Sequence, residues 1–262
     1  MDIATTTTPQ DGHIAFAPSI DLRLSTLPTR HGEDCAIRIV DRRHGLRQLG
    51  ELGLPEPMTT ELMKWTQLKS GLLLITGATG SGKSTTLYAL ITEILAAGDR
   101  CVVTLEDPVE YPLDGARQSP VKSGSGHTFS TGLRAILRQD PDVIMIGEIR
   151  DKETAQTALE AAYTGHLVLS TLHTSGIELT IQRLTQFGLD PFWLSESIHG
   201  IMSQSLIPIS CHCRTGCPQC NNTIRLGRRL DADMVSLIDC KNRSNWIAGS
   251  IPSDANRYRT GQ

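Results

Sequence analysis

Short apolar runs alternate with helical stretches along the middle of the chain. Four such runs are dominated by Leu, Ile and Val, which is typical of strands that are buried on both faces of a parallel sheet. They are Leu72–Ile75, Cys101–Leu105, Val143–Ile146 and the interior of His166–His173. Helices are predicted between them, at 83–97, 131–139 and 152–164. Strands that alternate with helices predict an α/β fold.

The N-terminal region has a different pattern. Leu22 and Leu24 alternate with polar residues, and Ala36–Val40 alternates in the same way. Period-two alternation predicts two strands, with Arg23 and Arg38 on their polar faces. The residue pattern alone favours two solvent-exposed arginines on a small sheet.

The two ends of the chain give weaker signals. Residues 177–207 predict two helices that are separated at 188–191, and the Thr-rich start at 1–9 predicts disorder. The tail at 227–262 shows little periodicity and predicts poor order. The expected plan has a small N-terminal region with a linker at 10–56, a main domain at 57–210 and a cysteine cluster at 211–226.

A glycine-rich turn follows the first apolar run and opens the first long helix. The turn matches G-x-x-x-x-G-K-[ST], in which glycines let main-chain N–H groups approach phosphate and the helix dipole favours an anion. Lys83 offers a charge to the outer phosphates, and Ser84 offers a hydroxyl to Mg²⁺. We therefore predict a nucleoside triphosphate site made by Gly77, Ala78, Thr79, Gly80, Ser81, Gly82, Lys83, Ser84 and Thr85.

Polar residues also follow the later strands, at the end where open α/β sheets bind ligands. Glu106 ends the second apolar run and Glu148 follows the third, where P-loop enzymes place an acidic residue near Mg²⁺ and the attacking water. Gly147 occupies the position of the usual Asp, so the contact of Glu148 with Mg²⁺ is expected to pass through water. His173 lies at the carboxyl end of the fourth run, on the same side. Solvated loop carboxylates remain the alternative for Glu106.

Composition limits the classes of function. The net charge of −3 and the lack of an evident basic stripe argue against a nucleic-acid partner. No apolar run approaches the roughly 20 residues that span a bilayer, and the start of the chain does not look like a secretory signal. The expected location is the cytoplasm.

Four of the seven cysteines lie close together, which favours metal binding or reduced thiols over extracellular disulfides. One pair has the C-x-x-C spacing that is common in zinc sites, and the other has the tighter C-x-C spacing. Zinc and free thiols both remain open for Cys211, Cys213, Cys217 and Cys220.

Four stretches together resemble one protein family. Residues 77–86, 104–111, 137–151 and 164–174 look like the Walker A, Asp box, Walker B and His box of the secretion ATPases that drive type II secretion and type IV pilus assembly. The resemblance covers roughly 9–226. It implies a RecA-like P-loop ATPase domain behind a small, truncated N-terminal α/β domain, assembled into a hexameric ring.

The resemblance also implies roles for individual residues. Lys83 and Ser84 would hold the phosphates of ATP and Mg²⁺, and Glu148 would orient or activate water with support from Glu106. His173 would sense the phosphate end. Since 21–28 and 36–39 match the family's arginine-bearing strands, Arg23 and Arg38 would stabilise charge on the γ-phosphate when the two domains close. The implied partner is a platform protein of the inner membrane, which would give peripheral membrane association.

Three features depart from the family pattern. Asp11–Ile14 resembles a point well inside the family's N-terminal domain, so most of that domain is expected to be missing. Gln204-Ser205-Leu206 stands in place of Gln-Arg-Leu, and the spacer between the cysteine pairs is nearly absent. These departures leave an alternative open, which is a shortened, catalytically weak or non-functional relative that binds or regulates a ring.

Overall fold

A computed structural model describes most of the chain, and the described residues divide into two compact units. The units comprise residues 1–46 and 47–262. The described residues are 2, 4–17, 19–41, 45–211, 213, 225–240, 251–252 and 254–260.

The first unit is a three-stranded antiparallel sheet. Its strands are β1 (Gln10–Ala17), β2 (Ile20–Thr29) and β3 (Gly32–Asp41), with β2 in the centre. The two strands that the alternation predicts are therefore present. The described residues of this unit are all strand, turn or loop, so they do not include the helical part of the expected small α/β domain.

The pairing register of this sheet separates an apolar face from a polar one. Ile14, Leu22 and Ile39 lie directly opposite one another across the three strands. Arg23 lies opposite Arg38, one residue along, and residues one apart in a strand point to opposite faces. The prediction that both arginines occupy a polar face is confirmed by this register.

The start of the chain was expected to be disordered, and its described residues instead form local hydrogen bonds. The main-chain N–H of Asp2 donates to Oε1 of Gln10 at 2.6 Å, and Nε2 of Gln10 donates to the carbonyl of Thr5 at 2.6 Å. Short polar side chains satisfy nearby backbone groups readily, which allows an ordered turn without an apolar pattern.

The second unit contains six α-helices and eight strands in its described residues. The helices are α1 (Glu56–Gln67), α2 (Lys83–Ala97), α3 (Phe129–Ile136), α4 (Lys152–Tyr163), α5 (Ile177–Gln186) and α6 (Pro191–Ser197). The strands are β4 (Gly71–Thr76), β5 (Val102–Glu106), β6 (Ala116–Pro120), β7 (Val143–Ile146), β8 (Leu167–Leu172), β9 (Ile198–Ser210), β10 (Arg225–Ser236) and β11 (Asn256–Arg259). Within the described residues, no helix is long and apolar enough to cross a membrane.

All eight strands form one sheet, in the order β11-β10-β9-β4-β8-β7-β5-β6. The strands from β9 to β6 pair in parallel, and β10 and β11 add antiparallel pairs at one edge. The residues that follow β4, β8, β7 and β5 therefore meet at one edge of the sheet. This arrangement confirms the predicted α/β fold class.

Helices cover both faces of this sheet because successive strand residues point to opposite sides. In β4, Leu72 and Leu74 pack into the core under α3 to α6, whereas Leu73 and Ile75 pack under α1 and α2. All four are at most 1% exposed, and burying one such side chain contributes about 2 kcal/mol. The continuous apolar run in the sequence thus reflects burial on both faces.

The unit boundary and one helix differ from the sequence-based plan. The boundary falls after Leu46, so 47–56 belongs to the second unit, where Leu49 and Leu52 pack against the α1–α2 layer. The segment 198–207, predicted as helix, lies in strand β9 between β4 and β10. At Gly200 this strand packs closely against Trp65, because a Cβ at this position would lie 2.2 Å from the ring.

The tail is also better ordered than its sequence suggested. β10 pairs with β9 from Arg225 to Ser236, and β11 pairs with β10. Met234 and Val235 are fully buried and contact opposite layers of the core. The prediction of a poorly ordered tail is therefore wrong for β10 and β11. The tail is ordered there because β10 pairs with the edge of β9, and the sequence of the tail alone does not show this pairing.

Candidate nucleotide site

The glycine-rich turn joins β4 to α2 and has the backbone that its sequence predicts. Gly77, Gly80 and Gly82 have φ values of 149°, 77° and 90°, which favour glycine. A Cβ on Gly77 would also lie 2.2 Å from the carbonyl oxygen of Gln204. Because α2 begins at Lys83, its N-terminal N–H groups and its dipole face the turn.

Lys83 bends back over this turn. Its Nζ donates to the carbonyl oxygens of Gly77 and Ala78, both at 2.9 Å, and lies 3.4 Å from Nδ1 of His173. Burial lowers the pKa of Lys83, and the negative charge of Glu148 opposes that shift. The ammonium group is thus held among weak neutral acceptors, which a phosphate oxygen can replace.

Glu148 and His173 lie side by side at the ends of neighbouring strands. The Nε2 atom of His173 is 3.2 Å from Oε2 of Glu148. An imidazole protonated at Nε2 can donate to Glu148 and accept from Lys83 at Nδ1, so one neutral tautomer serves both contacts. The structure therefore brings together three residues that the sequence predicted.

Arg150 also contacts Glu148, and the sequence did not single it out. Its guanidinium donates to Oε1 of Glu148 and lies 3.4 Å from Oδ2 of Asp107. Burial alone would raise the pKa of Glu148, but the hydrogen bond and charge of Arg150, followed by those of His173, outweigh it and lower the pKa. Glu148 is consequently an ionised carboxylate at neutral pH.

Glu106 lies in a buried network, although the sequence placed it in support of Glu148. It is 3% exposed, and it accepts hydrogen bonds from the hydroxyl of Tyr88, from Thr104 at 2.6 Å and from Gln118 at 3.1 Å. The carboxylate of this stretch that is linked to Glu148 is Asp107, through Arg150. Support of the water by Glu106 remains a prediction.

Gln204 holds the phosphate loop from β9. Its Nε2 donates to the carbonyl of Ser81 at 2.9 Å, and its Oε1 accepts from the hydroxyl of Thr86 at 3.0 Å. The side chain is 4% exposed and bridges the loop and the first turns of α2. The sequence identified Gln204 only as one position of a three-residue motif, because its contact requires the pairing of β9 with β4.

The remaining loop residues fit a phosphate and Mg²⁺. The hydroxyl of Ser81 is buried and has no hydrogen-bond partner among the described residues, so a phosphate oxygen would satisfy it. Ser84 is exposed in the first turn of α2, as are Thr79 and Gly80 in the loop, while Thr85 is partly exposed. A hydroxyl at this position and the nearby carboxylate of Glu148 are oxygen donors of the kind that Mg²⁺ prefers.

A cavity of about 330 Å³ lies beside the loop. Ala78 and Gln204 form part of its wall, and Asp231, Asp233 and Arg259 form another part. Asp233 is paired with Arg257 and lies 3.4 Å from Nε of Arg259, so its charge is already balanced. The tail strands thus border the phosphate loop.

Comparisons with known proteins identify relatives of this chain. The model of the family described as "Type II/IV secretion system protein" matches residues 1–248. The chain belongs to this family. It is 46% identical over 241 residues to the type II secretion system protein HxcR of Pseudomonas aeruginosa, covering 87% of this chain and 51% of that protein. It is 42% identical over 250 residues to the type II secretion system ATPase E of Vibrio cholerae, covering 94% of this chain and 48% of that protein.

Solved structures of other proteins share the fold of this chain. The pilus retraction motor PilT with bound ADP has a TM-score of 0.74 and 32% identity, covering 92% of this chain and 66% of that one. The Legionella pneumophila ATPase DotB has a TM-score of 0.73 and 30% identity, covering 93% and 66%. The resemblance to secretion ATPases is therefore confirmed. The chain spans about half the length of the curated relatives described above.

Two predicted features of the secretion family stay predictions. Arg23 and Arg38 lie in the first unit, on adjacent strands, and their action on a nucleotide is untested. Among the proposed zinc ligands, Cys217 and Cys220 lie outside the described residues, whereas Cys211 and Cys213 follow β9. The part of the chain that the structure describes contains no group of three or more His, Cys, Asp or Glu side chains suited to a metal ion.

Proposed function

We propose that this chain binds and hydrolyses ATP as part of a motor for type II secretion or type IV pilus assembly. The observation that carries the proposal is the contact between Lys83, His173 and Glu148. These residues follow β4, β8 and β7, which are neighbours in the sheet, and Lys83 stands at the N-terminus of α2. The helix end that would bind phosphate is thus linked through His173 to an ionised carboxylate.

The charges suggest how the residues divide the work. Lys83 exchanges its carbonyl contacts for oxygens of the outer phosphates, and the N–H groups of 77–84 surround those phosphates. Glu148 accepts a hydrogen bond from the attacking water and orients it, because a carboxylate with a lowered pKa is a weak base. Because His173 contacts both Lys83 and Glu148, it couples the occupancy of the phosphate position to the position of Glu148.

Ser84 and Glu148 would hold Mg²⁺, the latter through water. The ion would supply positive charge to the phosphate oxygens.

The larger assembly is part of the same proposal. The chain acts in a homo-oligomeric ring, a hexamer by family resemblance, in which Arg23 and Arg38 supply charge to a γ-phosphate. It works in the cytoplasm and meets the inner membrane through a platform protein. The V. cholerae relative is named a secretion ATPase and PilT a pilus retraction motor, which supports a motor without choosing the cargo.

One specific observation favours a second candidate function, that of a catalytically weak subunit. Ser205 replaces the arginine that the family has between Gln204 and Leu206. A catalytically weak subunit that binds or regulates a ring would keep the nucleotide site and lose turnover.

The deciding experiment measures ATP hydrolysis and mass in solution, with and without nucleotide. If the chain is the proposed motor, it hydrolyses ATP, and the mass of its assembly in solution rises when nucleotide is added. Lys83→Ala is expected to remove nucleotide binding and turnover, because loss of the ammonium group leaves the outer phosphates without their main cation. Lys152→Ala, a change of an exposed lysine at the start of α4, is the control and should leave both unchanged. Binding without turnover in the unmodified chain would select the regulatory candidate.

A further inference from the structure

Tyr88 joins the helix that follows the phosphate loop to the acidic turn, which we define as Asp107–Leu113. It lies in α2, is 2% exposed, and its hydroxyl donates to Oε2 of Glu106. The same oxygen accepts from the main-chain N–H groups of Glu110 at 3.2 Å and Tyr111 at 3.3 Å. One donor and two acceptor sites exhaust the capacity of a phenol, so this hydroxyl is fully used.

Gln118 holds the acidic turn from the other side. Its Nε2 donates to Oε1 of Glu106 at 3.1 Å and to the carbonyl of Tyr111 at 2.9 Å. Its Oε1 accepts from the N–H of Leu113 at 2.7 Å. The buried carboxylate of Glu106 is therefore the common partner of two side chains that both bind the backbone of the turn.

Asp107 begins the acidic turn, and its carboxylate is linked to the nucleotide site. Asp107 lies 3.4 Å from Arg150, and Arg150 donates to Glu148. A shift of the turn would move Asp107, whose carboxylate pairs with the guanidinium that also binds Glu148. Tyr88 lies five residues after Lys83 in the same helix, so the turn is fixed to the element that carries the phosphate-binding lysine.

We propose that Tyr88 is a positioning residue for hydrolysis, which sets Glu148 through the acidic turn, Asp107 and Arg150. The inference rests on the proposed function, since it concerns the turnover step. Tyr88 contacts neither the phosphate-binding residues nor Glu148 directly in its hydrogen bonds, which run to Glu106 and the turn. Burial, and then the bond to Glu106, raises the pKa of Tyr88, so the hydroxyl remains a donor at neutral pH.

Tyr88→Phe tests the role while keeping the ring, which packs edge-on against Tyr111 at 5.5 Å. We expect kcat to fall by about tenfold, with ADP affinity within about twofold of the unmodified chain, because only the turnover geometry is disturbed. Tyr163→Phe, at a half-exposed tyrosine on α4, is the control and should change neither. Unchanged kcat, or equal losses of kcat and ADP affinity, would overturn the proposal.

A double-mutant cycle separates positioning from general loss of stability. If Tyr88 acts through Asp107, Asp107→Asn lowers kcat in the unmodified chain and adds little in the Tyr88→Phe chain. Additive losses would overturn the proposed route. Melting temperatures of all four chains identify a variant that fails to fold, in which case Gln118→Leu replaces Tyr88→Phe and must show the same non-additivity with Asp107→Asn.

Amide hydrogen exchange provides a readout that needs no turnover. In Tyr88→Phe the amides of Glu110 and Tyr111 lose their acceptor and should exchange at least about tenfold faster, while those of β4 keep their protection. Unchanged exchange at both amides would overturn the inference. If the unmodified chain does not hydrolyse ATP, the proposed function is rejected instead. In that case amide hydrogen exchange, measured with ADP bound, still decides whether Tyr88 fixes the turn.

Discussion

At the residue scale, the environment of Glu148 determines which task it can perform. Arg150 and His173 both stabilise its ionised form. A carboxylate held in this way binds a water molecule well and removes a proton poorly. Under the proposed function, binding of the nucleotide and orientation of the water are therefore separate tasks, which we assign to Lys83 and Glu148.

Glu148→Gln should separate these two tasks. The amide keeps the size of the side chain and loses its charge, so we expect ATP affinity within a few fold of the unmodified chain and a fall in turnover of at least about 100-fold. Glu160→Gln, at an exposed position on α4, is the matched control. Equal losses of ATP affinity and turnover would identify Glu148 as mainly a magnesium or structural residue.

The sequence predicted the residues of this site whose positions follow from strand order alone. Glu148 and His173 come within two residues of the end of a buried strand, and Lys83 begins the helix after the turn that follows β4. The carboxyl ends of parallel strands meet at one edge. Arg150, Tyr88 and Gln204 could not be found in this way. Their contacts depend on side-chain direction and on which strands are neighbours, and neither is encoded in a local pattern.

At the element scale, the last described strand is held by a buried carboxylate on α1. Glu61 is 1% exposed, and its Oε2 accepts from the hydroxyl of Tyr258 in β11 at 3.1 Å and from Lys64 at 2.9 Å. Burial alone would raise the pKa of Glu61, but the nearby hydroxyl of Ser236, the hydrogen bond and charge of Lys64 and the hydroxyl of Tyr258 lower it. The tail strands thus depend on an ionised glutamate.

The lowered pKa of Glu61 predicts an acid-dependent stability. The ionised form stabilises the folded chain above the unfolded pKa, which is about 4.3, and this contribution is lost as the pH falls through the lower folded value. We expect Glu61→Gln to lower Tm by a few degrees at pH 7, with the difference shrinking below about pH 4. Glu196→Gln, at an exposed position, should show no such trend. A difference in Tm that is independent of pH would mean that Glu61 acts through packing alone.

The sequence patterns of β10 and β9 explain why the secondary structure of these two strands differs from the prediction. Leu230, Ala232 and Met234 alternate with Asp231 and Asp233, which is a period-two signal for a strand. This period-two signal is short and lies in a polar region, so it is too weak to predict a strand. The sequence predicts helix for β9 because the first half of the strand is largely buried, and a short apolar run does not distinguish the two structures.

At the scale of the whole molecule, the arginines of the first unit provide a prediction about turnover. If Arg23 and Arg38 stabilise charge on the γ-phosphate in the transition state, Arg38→Ala should cut turnover by about 1,000-fold and leave ADP affinity nearly unchanged. Arg30→Ala, in the turn between β2 and β3, is the control within the same unit. Measurements at matched oligomeric state are required, and equal turnover would make both arginines ordinary surface charges.

The cysteine cluster predicts a bound metal ion. Protein purified without chelator should contain close to one zinc per chain, held by Cys211, Cys213, Cys217 and Cys220, because four thiolates complete a tetrahedral site. Cys213→Ser should lower the zinc content, whereas Cys35→Ser, an exposed cysteine in β3, should not. Four titratable thiols and no zinc in the unmodified chain would reject the site.

The edges of the eight-stranded sheet have a consequence for assembly. β11 is four residues long and carries Arg257 and Arg259, and β6 at the opposite edge ends at Pro120. Short strands and a proline at a strand end both discourage the addition of a strand from another molecule. In the proposed ring, copies of this unit would then meet through side chains on helices and loops rather than through strand pairing. Interfaces of that kind can shift by repacking, with every backbone hydrogen bond of the sheet left in place.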